Sequence, residues 1–585
     1  MSHSRRQFVQ LVGLAALGCS SDEGTGSGSG GAGGSGGAGG NGGSGGADAG
    51  VDAAHDAAAG AGGDAGVDAG PPVGAIDGSP WGIATSHSSS FNLGWLSTIS
   101  AAGFECIRGF DRANTDARLK DAAALGVEST GILAMGGSFP ADDIAGWKAY
   151  IKGLLTEAAG RVKYWEVWNE PPNFSTDKTP ESYGAIVKAA YEEVKAFDPT
   201  LQVGLCAASV HLNFLDQALL AGAADHFDYV TLHPYETLGL VDRGFEAQFM
   251  ATVPAVRKLL AARSAARKDV PVIFTELGEP VQNGITPEHQ ADTFIKSYVL
   301  SLAQGVARIH WFEGIDGDSG PFGLIAQGGA PRPSLTAATS LIAELGSRPK
   351  YHGWVLLNDT HYGFVFDSAK GGRALVAWAR PGVTESVDLG EVVMLVEPNT
   401  GAESMAMSMS LGASPRIVRG ALSGLLSQAQ QNRSKPFPWE GDYSAASGVE
   451  LSAAGGELGL HLLASPPITN VFGEAAFDLS QGAAYSVCVD PNFMLYDTLP
   501  ILIRAVVRRL NAGTNAGFNV KYESTTGTHG TNGWNTVPAA DQWHELTWDI
   551  DDAQFVGKWG YHLSLDSDST ANSGYALRSL RVEKR

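Results

Sequence analysis

From Trp81 onward, short apolar runs alternate with longer stretches in which apolar residues recur every three or four positions. The runs are Trp81–Ser86, Cys106–Phe110, Glu128–Ala134, Lys163–Glu170, Gln202–Ala208, Tyr229–Tyr235, Val270–Glu276 and Arg308–Phe312. Near-continuous apolar character is what a parallel strand covered on both faces needs, so these read as buried strands. The stretches between them read as amphipathic helices: Asn92–Ala102, Thr115–Leu125, Ile144–Glu157, Ser182–Phe197, Glu246–Ala261 and Glu288–Ala303, with Ser334–Leu345 after the last strand. Thr179-Pro180-Glu181 and Thr286-Pro287-Glu288 each place a capping hydroxyl, a proline and an acid at a helix start. Strand–helix units repeated over about 275 residues match the size of a (β/α)8 TIM barrel. The pattern therefore predicts an α/β barrel over residues 73–348.

The period then changes. Leu375–Ala379 and Val392–Glu397 alternate as strands do, and residues 349–425 read as a small β-domain packed on the barrel. Residues 426–585 are richer in aromatics (Trp439, Tyr522, Trp534, Trp543, Trp548, Trp559, Tyr561), with Gly/Asn/Asp clusters between short strands. They predict a jelly-roll-like β-sandwich. Asp566-Ser567-Asp568 reads as a structural calcium loop or as a plain acidic turn.

The first 72 residues add an address and a tether. Ser4-Arg5-Arg6-Gln7-Phe8 has the twin-arginine pattern, and the apolar run to Leu17 is too short to span a bilayer. Ala16-Leu17-Gly18-Cys19 resembles a bacterial lipoprotein cleavage site. Residues 1–19 are thus an export signal, with a lipid on Cys19 as the only expected link to a membrane. The expected location is periplasmic, lipid-anchored, or at the cell surface and beyond. Residues 20–72 are Gly, Ser, Ala and Asp, too polar to bury a core, and form a disordered linker. Gly28, Gly30 and Gly33 match a dinucleotide-binding spacing with neither the strand nor the helix that it requires.

A formal charge of −22 argues against a nucleic-acid partner, which needs clustered Lys and Arg. Cys106 and Cys206 lie in apolar runs and read as small hydrophobes, and with Cys488 they show no metal-ligand spacing. Neither a redox cofactor nor a catalytic metal is expected, and the chain is expected to be a monomer.

In such a barrel the chemistry sits where strands end. Strand four ends Trp165-Glu166-Val167-Trp168-Asn169-Glu170, and strand seven ends Ile273-Phe274-Thr275-Glu276. Two strand-end carboxyls facing each other suit glycoside hydrolysis, one as nucleophile and one as acid. A resting charge on Glu276 would keep Glu170 protonated for the acid role. Around them, Arg108 ends strand two and can steady the nucleophile. His233 and Tyr235 end strand six, and Tyr235 can donate to Glu276. Trp311, at the end of strand eight, can lie under the sugar ring, and His87 follows strand one. Glu313, Asp316 and Asp318 in the last loop are subsite contacts or solvated charges. Each of these residues also has a plain structural explanation, in core packing or ion pairing.

Trp168-Asn169-Glu170-Pro171 with Thr275-Glu276 resembles the clan A retaining glycoside hydrolases. Within the clan, the chain is most similar to glycoside hydrolase family 39. That likeness is carried by Trp81-Gly82-Ile83-Ala84, Gly103-Phe104 with Ile107-Arg108, and Leu232-His233-Pro234-Tyr235. Phe322-Gly323-Leu324 through Pro331-Arg332-Pro333 extends it. The resemblance implies that Glu170 is the acid/base, Glu276 the nucleophile and Asn169 a partner for the sugar 2-hydroxyl. It implies a retaining β-glycoside hydrolase, which the N-terminal signal is expected to export. Short loops and an appended domain favour endo-cleavage of a polysaccharide, with carbohydrate binding by the sandwich. The alternatives are an exo-acting β-xylosidase-like glycosidase and a non-catalytic, carbohydrate-binding surface lipoprotein.

Overall fold

The computed structural model describes residues 74–86, 92–110, 115–135, 139–173, 178–358, 361–438, 441–531, 533–539 and 542–585. Residues 1–72, on which the expected export signal, the Cys19 lipid site and the linker fall, and His87 lie outside the described residues. Eight parallel strands close a barrel: β1 (Trp81–Ala84), β2 (Cys106–Phe110), β3 (Glu128–Leu133), β4 (Val162–Val167), β5 (Gln202–Ala208), β6 (Tyr229–His233), β7 (Val272–Leu277) and β8 (Arg308–Trp311). Closure runs through Gly82, which pairs with Cys106 on one side and His310 on the other. A Cβ on Gly82 would lie 2.6–2.8 Å from atoms of His310, Ile309 and Cys106, so no larger residue fits that seam. Both expected caps form: the hydroxyls of Thr179 and Thr286 accept from the backbone N–H of Ser182 and His289, each at 3.2 Å.

Some elements differ from the expectation. Strand four stops at Val167, because Trp168 and Glu170 take positive φ values of 69° and 52° and turn the chain into the barrel mouth. Tyr235 opens a short helix, Tyr235–Val241, instead of extending β6. The expected Glu246–Ala261 helix splits into Glu246–Met250 and Thr252–Arg263. Pro254 has no N–H to give the Met250 carbonyl, which breaks the run there. A helix at Leu212–Ala218, unmarked in the sequence reading, lies between β5 and β6.

A six-stranded antiparallel sheet follows: β9 (Tyr351–Asn358), β10 (His361–Asp367), β11 (Arg373–Trp378), β12 (Glu385–Glu397), β13 (Ala402–Leu411) and β14 (Arg416–Gly420), in the order β13-β12-β14-β11-β10-β9. Alternation along β10 splits its side chains between two layers. Phe364 and Phe366 join the barrel core, whereas Val365 packs with Val355 and with Ala429 of the helix Ser423–Asn432. Trp378 Nε1 donates to Glu246 Oε1 of the barrel at 2.8 Å.

The last unit is an antiparallel sandwich. One layer holds Gly448–Ser452, Tyr575–Lys584, Leu499–Arg509 and His544–Ala553. The other holds Gly517–Ser524, Leu563–Asp566, Ala484–Val489 and Leu460–Leu462. Ile501, Ile503, Ala505 and Val507 of the first layer face Phe518, Val520, Leu563 and Leu565 of the second across one core. Cys106, Cys206 and Cys488 are buried and free. Among the described residues no helix is long and apolar enough to cross a membrane.

The sandwich is tied to the barrel. Glu523 accepts from the backbone N–H groups of Val556, Gly557 and Lys558 at 2.8, 2.9 and 2.7 Å, which fixes that loop. The Lys558 carbonyl then accepts from Ser209 Oγ, just past β5, at 2.8 Å. Ser209 also meets a carboxyl oxygen of the half-buried Glu236 at 2.5 Å. The Ser209 hydroxyl is thus shared between the Lys558 carbonyl and Glu236, whose carboxyl resists ionisation. Burial raises its pKa to about 7, against the ordinary 4.5, and the Ser209 contact offsets only part of that rise. Between those values the folded chain holds a proton that the unfolded chain has released, so this contribution to stability falls as pH rises through that window. Thermal midpoints measured from pH 5 to 8 should therefore decline more steeply for the wild type than for Glu236→Gln. Parallel curves would show that the carboxyl is already ionised.

Candidate active site

Strands β2, β4, β6 and β7, the turn after β4 and the first residue of the helix Tyr235–Val241 send polar side chains into the C-terminal mouth of the barrel. Arg108 is at its centre. Its Nε and Nη2 donate to Glu166 Oε2 at 2.9 and 2.6 Å, Nη2 also reaches Asn169 Oδ1 at 2.7 Å, and Nη1 bonds Glu276 Oε1. Arg108 and Glu166 are fully buried. Burial opposes the charge on Arg108, but the carboxylates of Glu166 and Glu276 outweigh it and hold the guanidinium protonated. Burial likewise opposes the charge on Glu166, which Arg108, His233 and the Thr231 hydroxyl overcome, leaving its pKa below the ordinary value.

Glu166 also receives the hydroxyls of Thr231 and Thr275 on Oε1, at 2.6 and 2.8 Å. This settles the proton placement above it. Thr275 spends its proton on Glu166, so its oxygen must accept from His233 Nε2 at 3.0 Å. The other ring nitrogen, Nδ1, faces Glu170 Oε1 at 2.9 Å. His233 and Glu170 thus hold one proton between them across that bond. Burial works against charge on His233, but the fields of Glu276 and Glu170 raise its pKa above the ordinary value. Tyr235 donates to Glu276 Oε2 at 3.0 Å, so both oxygens of Glu276 have donors.

Glu170 and Glu276 are 6% and 5% exposed, enough to meet a ligand, where Glu166 at 0% is not. One oxygen from each of these two carboxyls and one ring nitrogen of His233 lie within 4.8 Å of one another. Asn169 is held through its oxygen by Arg108, and its amide NH2 has no partner among the described residues. The structure therefore brings together Glu170, Glu276, Asn169, Arg108, His233 and Tyr235.

Trp311 is a correction. It is fully buried, its Nε1 donates to the Phe322 carbonyl at 3.3 Å, and its ring packs on Phe294 at 5.2 Å, so it has no face for a sugar. In the last loop, Glu313 is buried and accepts from the N–H groups of Ser86 and Gly317, while Asp316 pairs with Arg332 at 2.6 and 2.8 Å. Both shape the loop from within. The sequence reading gave no role to Glu166 or to the two threonines. The available signal was a charged residue amid the apolar residues of strand four, four positions before Glu170.

Removing one member of a buried ion pair leaves the other uncompensated, at a cost of roughly 3–5 kcal/mol. Glu166→Gln should therefore lower the unfolding free energy by about that much in urea titrations. A loss under about 1 kcal/mol would show that Arg108 finds enough compensation in Glu276 alone.

No family model matches the sequence, and no curated protein does. Among solved structures, the fold is similar to a family 39 glycoside hydrolase from the gut symbiont Bacteroides cellulosilyticus. That match has 19% identity and a TM-score of 0.48, over 58% of this chain and 80% of that one. The catalytic domain of a family 30 xylanase C from Talaromyces cellulolyticus is similar at 13% identity and a TM-score of 0.41, over 59% and 97%. A glucosidase from Croceicoccus marinus is similar at 12% identity and a TM-score of 0.41, over 88% and 98%.

Proposed function

We propose that this protein is a retaining β-glycoside hydrolase that works outside the cytoplasm and cleaves the interior linkages of a polysaccharide. The observation that carries the reading is the meeting of the Glu170 and Glu276 carboxyls within 4.8 Å at the barrel mouth. Double displacement needs carboxyls about 5–5.5 Å apart, whereas inversion leaves room for a water at about 6.5–9.5 Å. Export rests on the twin-arginine segment, and interior cleavage on the short barrel loops and the appended sandwich.

In this reading Glu276, its charge steadied by Arg108 and Tyr235, attacks the anomeric carbon. Glu170 gives its proton to the departing glycosidic oxygen as that bond breaks. In the second step Glu170 takes a proton from water as the water attacks the same carbon of the glycosyl ester. Glu276 leaves as a carboxylate and the anomeric configuration is kept. In the same reading the amide of Asn169 bonds the sugar 2-hydroxyl, and that interaction strengthens as positive charge develops.

Proton NMR of the first product released from an aryl β-glycoside tests the reading, with the β-anomer expected ahead of mutarotation. An α-anomer at the start would overturn it. Digestion of neutral plant polysaccharides should give a ladder of intermediate oligosaccharides, and release of monosaccharide alone would replace interior cleavage with exo-action.

A further inference from the structure

The sandwich also carries an open groove with an exposed indole in it. At one end of its strands lies a groove of about 340 Å³, within the span of about 300–1,000 Å³ common for small-ligand sites. Arg509, Asn515, Ala516, Trp534, Thr536, Asp568 and Asn572 line it. Trp534 is 41% exposed, unusual for so large an apolar ring. It is nevertheless firmly seated. A Cβ on Gly517 would fall 2.5 Å from two atoms of its indole, so the ring lies directly on a backbone that only glycine leaves open. Asn535, the next residue, is tied to the carbonyls of Phe518 and Gly533 at 3.2 and 3.0 Å and accepts from Trp548 Nε1 at 3.1 Å.

Polar groups surround this plate with bonding capacity to spare. Arg509 gives Nη2 to the Val537 carbonyl at 2.7 Å, but its buried Nε has no partner among the described residues. Asn572 gives its NH2 to the Ser567 carbonyl at 3.3 Å and keeps its oxygen. Asp568 is exposed at the rim, in a left-handed turn with φ of 60°. One cation and one anion leave the groove with no net charge, which suits neither a polyanion nor a polycation. A protein hot spot would want more apolar neighbours than Ala516 supplies. An exposed ring ringed by mixed donors and acceptors matches a pyranose: apolar C–H bonds on one face, hydroxyls that give and accept at the edge.

We infer that this groove is a saccharide-binding site for a neutral glycan, with Trp534 as the platform and Arg509, Asn572 and Asp568 as the edge contacts. It takes its ligand class from the proposed activity, yet none of its residues belongs to the barrel, so binding tests it separately from turnover. The experiment is native electrophoresis of the whole chain carrying Glu276→Ala, in gels with soluble xylan, mixed-linkage β-glucan or glucomannan, and polygalacturonate as the charged comparison. At least one neutral glycan should retard the chain, and adding Trp534→Ala should weaken that retardation at least tenfold. Asn572→Ala, a milder change, should weaken it severalfold, with circular dichroism confirming that both variants fold. Retardation that survives Trp534→Ala, or a chain that no neutral glycan retards, would overturn the inference. An aryl β-glycoside assay of the wild type reports on the barrel whatever the gels show.

Discussion

Glu276→Ala should lower kcat on an aryl β-glycoside by roughly 10⁴-fold or more, because no other side chain can form the covalent ester. KM should change far less, since the carboxylate acts in bond making rather than in ground-state binding. The cavity left behind predicts a more specific result. Arg108 and Tyr235 lose their shared acceptor, and a buried guanidinium with a vacant side attracts a small anion. Azide should enter there, attack the anomeric carbon from the face Glu276 used, and give an α-glycosyl azide in a single displacement. Chromatography and NMR of the product check this. A variant that keeps a tenth of wild-type kcat, or yields the β-azide, would remove Glu276 from the nucleophile's role.

Glu170→Ala separates the other half of the reaction. General acid assistance contributes about 10²–10⁴-fold, and the loss depends on how much help the leaving group needs. Substrates with alkyl leaving groups should slow by the full amount, while a dinitrophenyl glycoside should form the glycosyl-enzyme at nearly the normal rate and stall there. Azide now intercepts that intermediate without a base, so it should restore turnover and give the β-azide, the opposite anomer from the nucleophile variant. Equal slowing for both leaving groups would return Glu170 to a structural role.

Much of the barrel was legible in the residues because parallel strands covered on both faces must be apolar runs, and those runs stop at or within a few residues of the strand ends. The ends then named Glu170, Glu276, Arg108 and His233. What stayed hidden depended on contacts between strands. Glu166 is explained only by Arg108 across the barrel and by two threonines on β6 and β7, none of them near it in sequence. Trp311 failed for the related reason that a position at a strand end fixes depth along the barrel but not direction; its ring points to Phe294 on the outer helix. The turn at Trp168–Glu170 was hidden because neither residue favours positive φ, and the surrounding fold imposes it.

The seam between barrel and sandwich bears on how this protein can be taken apart. Leu240 and Ala247 of the barrel, with half-buried Phe245 beside them, rest against Cys488, Leu463 and Tyr561, and the Gln248 amide donates to the Val489 carbonyl at 2.8 Å. A barrel expressed by itself would turn those side chains to water and strand that amide. Such a fragment is expected to self-associate in solution, and the two modules should prove poor candidates for swapping onto other scaffolds.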